Sequence, residues 1–363
     1  MKQQSNNPEL ERYLLLAAAL IAMVAGLWYG LVRIGWTLPV FRRPDLVAQH
    51  GPFMIAGFLG VLIPIERAVA VETRFAFVIP LLSALGMALL VVPALSPTWG
   101  RVLITLASIG YTGLFLYFLS IDPQLHAYVM VGGAVAWVAG NVLWTIGWGL
   151  PRIVFYWIGF LVLTIAGERL ELARTMNLGR KETWSFAGFS LLLATGLVCM
   201  SLRPDLGMSR YLTGAGFASL GAWLLVAGPS RRTVRLPGRM RFIAVSLMIG
   251  YLWLIATGVF LCIYPWTPAG PVYDAILHSV FLGFVFSMIF AHAPIIFPAV
   301  TGKTMTYLPV FYVHTLLLHV SLVMRVIGDL SGGHQLRTWG ALINGIAIVL
   351  FMVHSVIGIA WRE

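Results

Sequence analysis

Residues 13–32 read YLLLAAALIAMVAGLWYGLV, an apolar run bounded by Arg12 on one side and Arg33 on the other. A bilayer span needs about 20 mostly apolar residues. This run reaches that length without a single charged side chain. Comparable runs continue to the end of the chain and predict spans at roughly 12–35, 50–71, 76–95, 100–120, 124–150, 152–173, 184–202, 211–229, 241–264, 272–300, 307–328 and 336–361. The breaks between them fall on turn-formers or charges: Pro39 and Pro44, Pro97, Asp122-Pro123, Pro151, Arg180-Lys181, Pro204, Pro237-Gly238, Pro265 and Pro268, Gly302-Lys303, Gly332-Gly333. The expected fold is an all-α polytopic membrane protein of about twelve transmembrane helices. Residues 1–363 are read as a single transmembrane domain.

Composition agrees. Of 363 residues, 60% are hydrophobic and 10% charged, with a mean hydropathy of +0.89. A soluble chain carries about 25% charged residues, so this one cannot cover a water-facing surface of normal size. The partner that follows is the lipid bilayer. The net charge of +11 does not point to nucleic acid, because the Arg residues lie in short loops between apolar runs. The densest group, Arg231, Arg232, Arg235, Arg239 and Arg241, reads as a cytoplasmic loop on an anionic leaflet. With the N-terminus inside, the larger share of Lys and Arg, including Lys2, Arg12, Arg67, Arg169 and Arg362, falls on the inner side, and Arg33, Arg42, Arg43, Arg325 and Arg337 fall outside. Both termini are therefore expected in the cytoplasm. The polar N-terminal segment carries acidic as well as basic residues, and no cleavable signal peptide is read there. Cys199 and Cys262 lie in apolar runs and are read as buried thiols, not as a disulfide or metal site. A faint repeat places Gly57-Phe58-Leu59 ahead of Glu66-Arg67, and Gly159-Phe160-Leu161 ahead of Glu168-Arg169 at equal spacing. It points to four-helix units used more than once.

Ionisable residues inside spans are costly and are the first candidates for function. Here they are mostly histidines. His50 opens the second span and His278 lies early in the tenth, both in the outer half by the expected topology. His292, His314 and His354 share a depth about 10 Å from the inner face, and could converge on copper or a second haem if the last three spans pack together. Structural hydrogen bonding is the competing reading. His314 and His319 are about 140° apart around one helix, so they do not face a single partner. Two histidines at matched depth on different helices also suit axial ligation of a haem, each giving one ring nitrogen to iron. Depth alone equally describes two hydrogen-bonded histidines in a bundle.

The residues around two of them carry a resemblance. His50-Gly51-Pro52-Phe53-Met54-Ile55 resembles the H-G-x-x-M-I run of the second helix of haem–copper oxidase subunit I. His278 resembles the second His of that family's H-x-H motif, and Phe297-Pro298-Ala299-Val300-Thr301-Gly302 is similar to its F-P-x-x-T-G, close to the family spacing. The resemblance implies three four-helix arcs, a low-spin b-type haem held by His50 and His278 with Met54 beside it, and a role for Arg325 at a haem propionate. For Arg325 the plainer reading is an interfacial Arg paired with Asp329. The resemblance also implies the cytoplasmic membrane of a prokaryote and a redox partner protein.

The departures are as informative. Ile276 stands where the high-spin haem ligand belongs, and spans six and seven hold no histidine for copper. Reduction of dioxygen at a haem–copper pair is thus not expected. The chain looks most like non-oxidase members, the NnrS-like membrane haem proteins linked to nitric oxide metabolism. The expected function is electron transfer or response to a diatomic gas. Two other readings stand: a transporter working through the Glu-Arg pairs and inner histidines, and a structural subunit of a respiratory complex.

Overall fold

The computed structural model describes residues 8–40, 44–71, 73–176 and 178–360. Lys2, Arg42, Arg43 and Arg362 of the orientation count lie outside the described residues. Among the described residues the long elements are all helical: α1 Pro8–Ile34, α2 Pro44–Val71, α3 Arg74–Val91, α4 Pro97–Ile121, α5 Leu125–Thr145, α6 Leu150–Ala173, α7 Arg180–Leu202, α8 Gly207–Ala227, α9 Arg239–Ile263, α10 Pro271–Thr301, α11 Phe311–Ser331 and α12 His334–Ala360. Eleven of them are long and apolar enough to cross a membrane. The remaining one, α8, occupies the predicted eighth span. The chain is an all-α, multi-pass membrane protein. Its outward side chains are what lipid selects: Leu14, Ile21, Leu191, Val226 and Leu316 are all exposed.

Helix ends differ from the expected ones for local reasons. The third span stops at Val91 because Val92 precedes Pro93 and turns extended, with φ −75 and ψ 115. The fifth stops at Thr145, two residues before Gly147 takes φ 100. The eleventh starts after Pro309 and ends on Gly332 in the left-handed region at φ 76.

The chain forms two compact units: residues up to Leu114 with Ile295–Met305, and Phe115–Pro294 with the residues from Thr306 onward. In the first unit, α1 packs along α2, and Ser83 of α3 donates to the Ala56 carbonyl at 2.9 Å. In the second, α5 pairs with α6, α8 with α7 and α9, and α11 with α12. Within this unit α6 is the enclosed element, with 72% of its apolar window buried. The faint repeat has a structural counterpart in each unit. A Cβ on Gly57 would lie 2.8 Å from Ala22 of α1, and one on Gly159 would lie 3.3 Å from Ala136 of α5. Each Gly-Phe-Leu thus seats its helix against the helix before it. Cys199 and Cys262 are half-buried free thiols rather than fully buried ones.

Candidate functional site

His50 and His278 belong to different units, and each is described by its own surroundings. In the first unit the α-helical turn His50–Pro52 of α2, which follows a 3-10 segment at Pro44–Gln49, widens into a π-helical segment, Phe53–Leu59, before regular helix resumes at Gly60. In the second unit α10 does the same: α-helix over Pro271–His278, π-helix over Ser279–Phe286, α-helix from Ser287. These are the only π-helical segments among the described residues, and each begins within three residues of its histidine. A π-segment gives up regular i→i−4 bonding and is concentrated at functional positions.

His50 is seated by α1. Its Nδ1 lies 2.6 Å from the Gly26 carbonyl oxygen. A Cβ on Gly30 would fall 2.8 Å from the ring, and one on Gly26 would fall 2.6 Å from the Met54 sulfur. Two glycines four apart on α1 therefore form a groove, and the two side chains four apart on α2 fill it. Met54 is here a packing residue against α1, and Tyr29 stacks on Phe53 at 5.7 Å beside it.

His278 is seated by its own helix and by α11. Its Nδ1 is 2.9 Å from the Asp274 carbonyl oxygen and 3.2 Å from the Asp274 carboxylate. Arg325 grips that carboxylate with both arms of its fork, Nε at 2.8 Å and a terminal nitrogen at 2.9 Å. This corrects the expected pairing of Arg325 with Asp329. Asp329 is instead in an ion pair with Arg337 across the α11–α12 turn, at 2.7 Å. Sequence spacing favoured Asp329, four residues on. The packing of α10 on α11 brings Asp274 to the guanidinium first, and a fork meeting a carboxylate side-on is the strongest arrangement available to it.

Both histidines share one chemical consequence. A neutral ring whose Nδ1–H donates to a carbonyl carries its lone pair on Nε2, the nitrogen a metal would use. Each ring, taken by itself, therefore keeps as an acceptor the nitrogen that axial ligation of a haem iron uses. Asp274 was missed in the sequence, although its i, i+4 spacing to His278 on a helix was a readable signal. The Gly26 and Gly30 pair was missed as well.

The inner histidines behave differently from the three-way convergence expected for copper or a second haem. His314 and His354 do meet, Nδ1 to Nδ1 at 3.0 Å. His292 does not join them; its Nδ1 bonds the Met288 carbonyl oxygen at 2.6 Å, within its own helix. Among the described residues no group of three or more His, Cys, Asp or Glu is arranged to hold a metal ion. His319 is held apart on the other side of α11. The Trp253 indole donates to its Nδ1 at 3.1 Å and Ser287 lies 3.4 Å from its Nε2.

A family model described as a domain of unknown function, DUF8744, matches residues 12–360, nearly the whole chain. The chain belongs to the DUF8744 family. No curated protein matches it. The DUF8744 match runs through α1 to α12, so both histidine seats and the His314–His354 pair lie inside the family's domain.

Proposed function

We propose that this DUF8744 protein is a haem protein of a prokaryotic cytoplasmic membrane, with both termini inside. His50 and His278 supply the axial nitrogens of a low-spin b-type haem, and the protein exchanges electrons with a redox partner or responds to a diatomic gas such as nitric oxide. One observation carries the reading beyond the resemblance: each histidine has its Nδ1 fixed on a backbone carbonyl and stands at the entry to a π-helical segment. Arg325 then acts one step back from the iron, holding Asp274 and through it the His278 ring. When bound, the haem supplies the electron storage that no side chain of this chain provides.

The absorption spectrum of the purified protein tests this. A low-spin haem spectrum is expected from the wild type. His50→Ala and His278→Ala should each lose the haem or convert it to a five-coordinate form. His126→Ala and His334→Ala should leave it unchanged. His314→Ala is the discriminating control: haem loss there with His50→Ala intact would sink the assignment. With a reductant, oxygen should not be consumed at an enzymatic rate. A transporter or a structural subunit would instead purify without haem.

A further inference from the structure

The contact between His314 and His354 has a property that the haem reading does not use. Both rings are buried, His314 to 1% and His354 to 8% exposure, on the seam between α11 and α12. The walls are hydrocarbon: Phe290 meets His314 edge-on at 4.7 Å, Phe351 lies at 5.4 Å, Phe311 at 5.8 Å and Phe242 of α9 at 6.3 Å. No charged side chain is among these ring neighbours. The rings of Tyr307 and Tyr312 pack on Phe242. The chain end of this box is tied down where the Thr306 amide donates to the Gly358 carbonyl oxygen at 2.9 Å.

A short Nδ1–Nδ1 contact forces complementary tautomers, since one nitrogen must donate and the other accept. The remaining nitrogen of His314, Nε2, is buried and has no hydrogen-bond partner among the described residues. Leaving such an atom unmatched is unfavourable, a penalty that two packed phenylalanines at these positions would avoid. A second unmatched atom lies on the same seam. Asn344 of α12 donates to the Leu318 carbonyl oxygen at 3.1 Å and to the Ser321 hydroxyl at 2.6 Å, while its Oδ1 is buried without a partner. His314 and Ser321 are about 10 Å apart along α11, two helical turns on the same buried face. Four residues beyond Ser321 stands Arg325 with Asp274. His314, Ser321, Arg325 and Asp329 all lie on the buried face of α11.

We propose that the His314–His354 pair is a proton relay feeding this polar seam. A proton binds Nε2 of His354. The Nδ1–H of His354 passes to Nδ1 of His314, and the Nε2–H of His314 leaves toward the Asn344 side. One proton enters and one leaves, and each ring ends as the other tautomer. The rings must reorient, or a proton must return, before the next transfer in the same direction. The proposal is independent of whether haem is bound.

The test uses the full chain in liposomes with a trapped pH dye, a potassium gradient and valinomycin to drive protons inward. Wild-type vesicles should change internal pH faster than protein-free vesicles. His314→Gln and His354→Gln should each fall to the protein-free rate, and His334→Ala should conduct as the wild type. Wild-type vesicles indistinguishable from protein-free ones, or either Gln variant conducting normally, would overturn the relay. If a Gln variant does not fold, nitrogen NMR of histidine-labelled wild type decides. One Nδ1 protonated, the other bare, and a scalar coupling between them is expected; two protonated Nδ1 atoms, or no coupling, would overturn it.

Discussion

Arg325→Ala should destabilise the second unit more than any other single charge removal in the chain, by about 3–5 kcal/mol, the range for breaking a buried ion pair. The reason is what it leaves behind. Asp274 and Arg325 have side chains only 16% and 9% exposed, and the guanidinium bonds both carboxylate oxygens. Without it the Asp274 carboxylate remains in a low-dielectric site with no guanidinium against it, so its desolvation penalty goes unopposed. The expected readout is a sharp fall in the thermal midpoint of the detergent-purified protein and poor recovery from membranes. Arg203→Ala provides the contrast. Its pair with Asp205 is 61% and 64% exposed, and a solvent-screened surface pair contributes little. The double variant Arg325→Gln with Asp274→Asn should recover much of the loss, because it removes both charges and keeps hydrogen-bonding groups. If the single variant were as stable as the wild type, the buried pair would not be an anchor of this unit. The same substitution should also loosen the His278 ring, because the Asp274 carboxylate that Arg325 holds lies 3.2 Å from its Nδ1.

The spans were legible because lipid imposes a length and forbids charge, and both constraints act on the local sequence. Their number and order follow from composition read in windows. The matched depth of His314 and His354 was equally legible, since helical rise converts residue number into height. What could not be read was which faces turn toward each other. His292 shares that depth, yet its Nδ1 is taken up by Met288, one turn back in its own helix. Arg325 had a carboxylate four residues away in Asp329, yet it is Asp274 on α10 that reaches it. Both outcomes depend on helix rotation, which is set by close packing of glycines and bulky side chains on several helices at once. The π-segments after His50 and His278 left no trace in hydrophobic periodicity, because the runs there are apolar on every side.

That close packing can be tested where it is tightest. Gly258→Val should be among the most damaging substitutions in the chain, costing about 3 kcal/mol, the upper part of the usual range for overpacking. Gly214 of α8 and Gly258 of α9 face each other at backbone distance. A Cβ on Gly258 would collide with the Gly214 carbonyl oxygen and lie 2.7 Å from the Ala218 amide nitrogen, and a Cβ on Gly214 would lie 2.7 Å from the Gly258 carbonyl oxygen. The obstacles are main-chain atoms, so no rotamer change relieves them and the helices must move apart. In lipid the loss is not offset by hydrophobic burial, because helix contacts in a bilayer depend on van der Waals fit between small residues. Gly258→Ala should show the same sign with a smaller shift. Gly188→Ala on α7 should show the opposite sign, since a Cβ there meets nothing within 4 Å and alanine is the better helix former by about 1 kcal/mol. Thermal midpoints of the three variants in one detergent give the comparison. A Gly258→Val protein as stable as the wild type would mean that α8 and α9 are not in contact along this seam, and the neighbouring Cys262 sulfur, 2.7 Å from the Gly214 Cβ position, would then react with a lipid-soluble thiol reagent as freely in the variant as in the wild type.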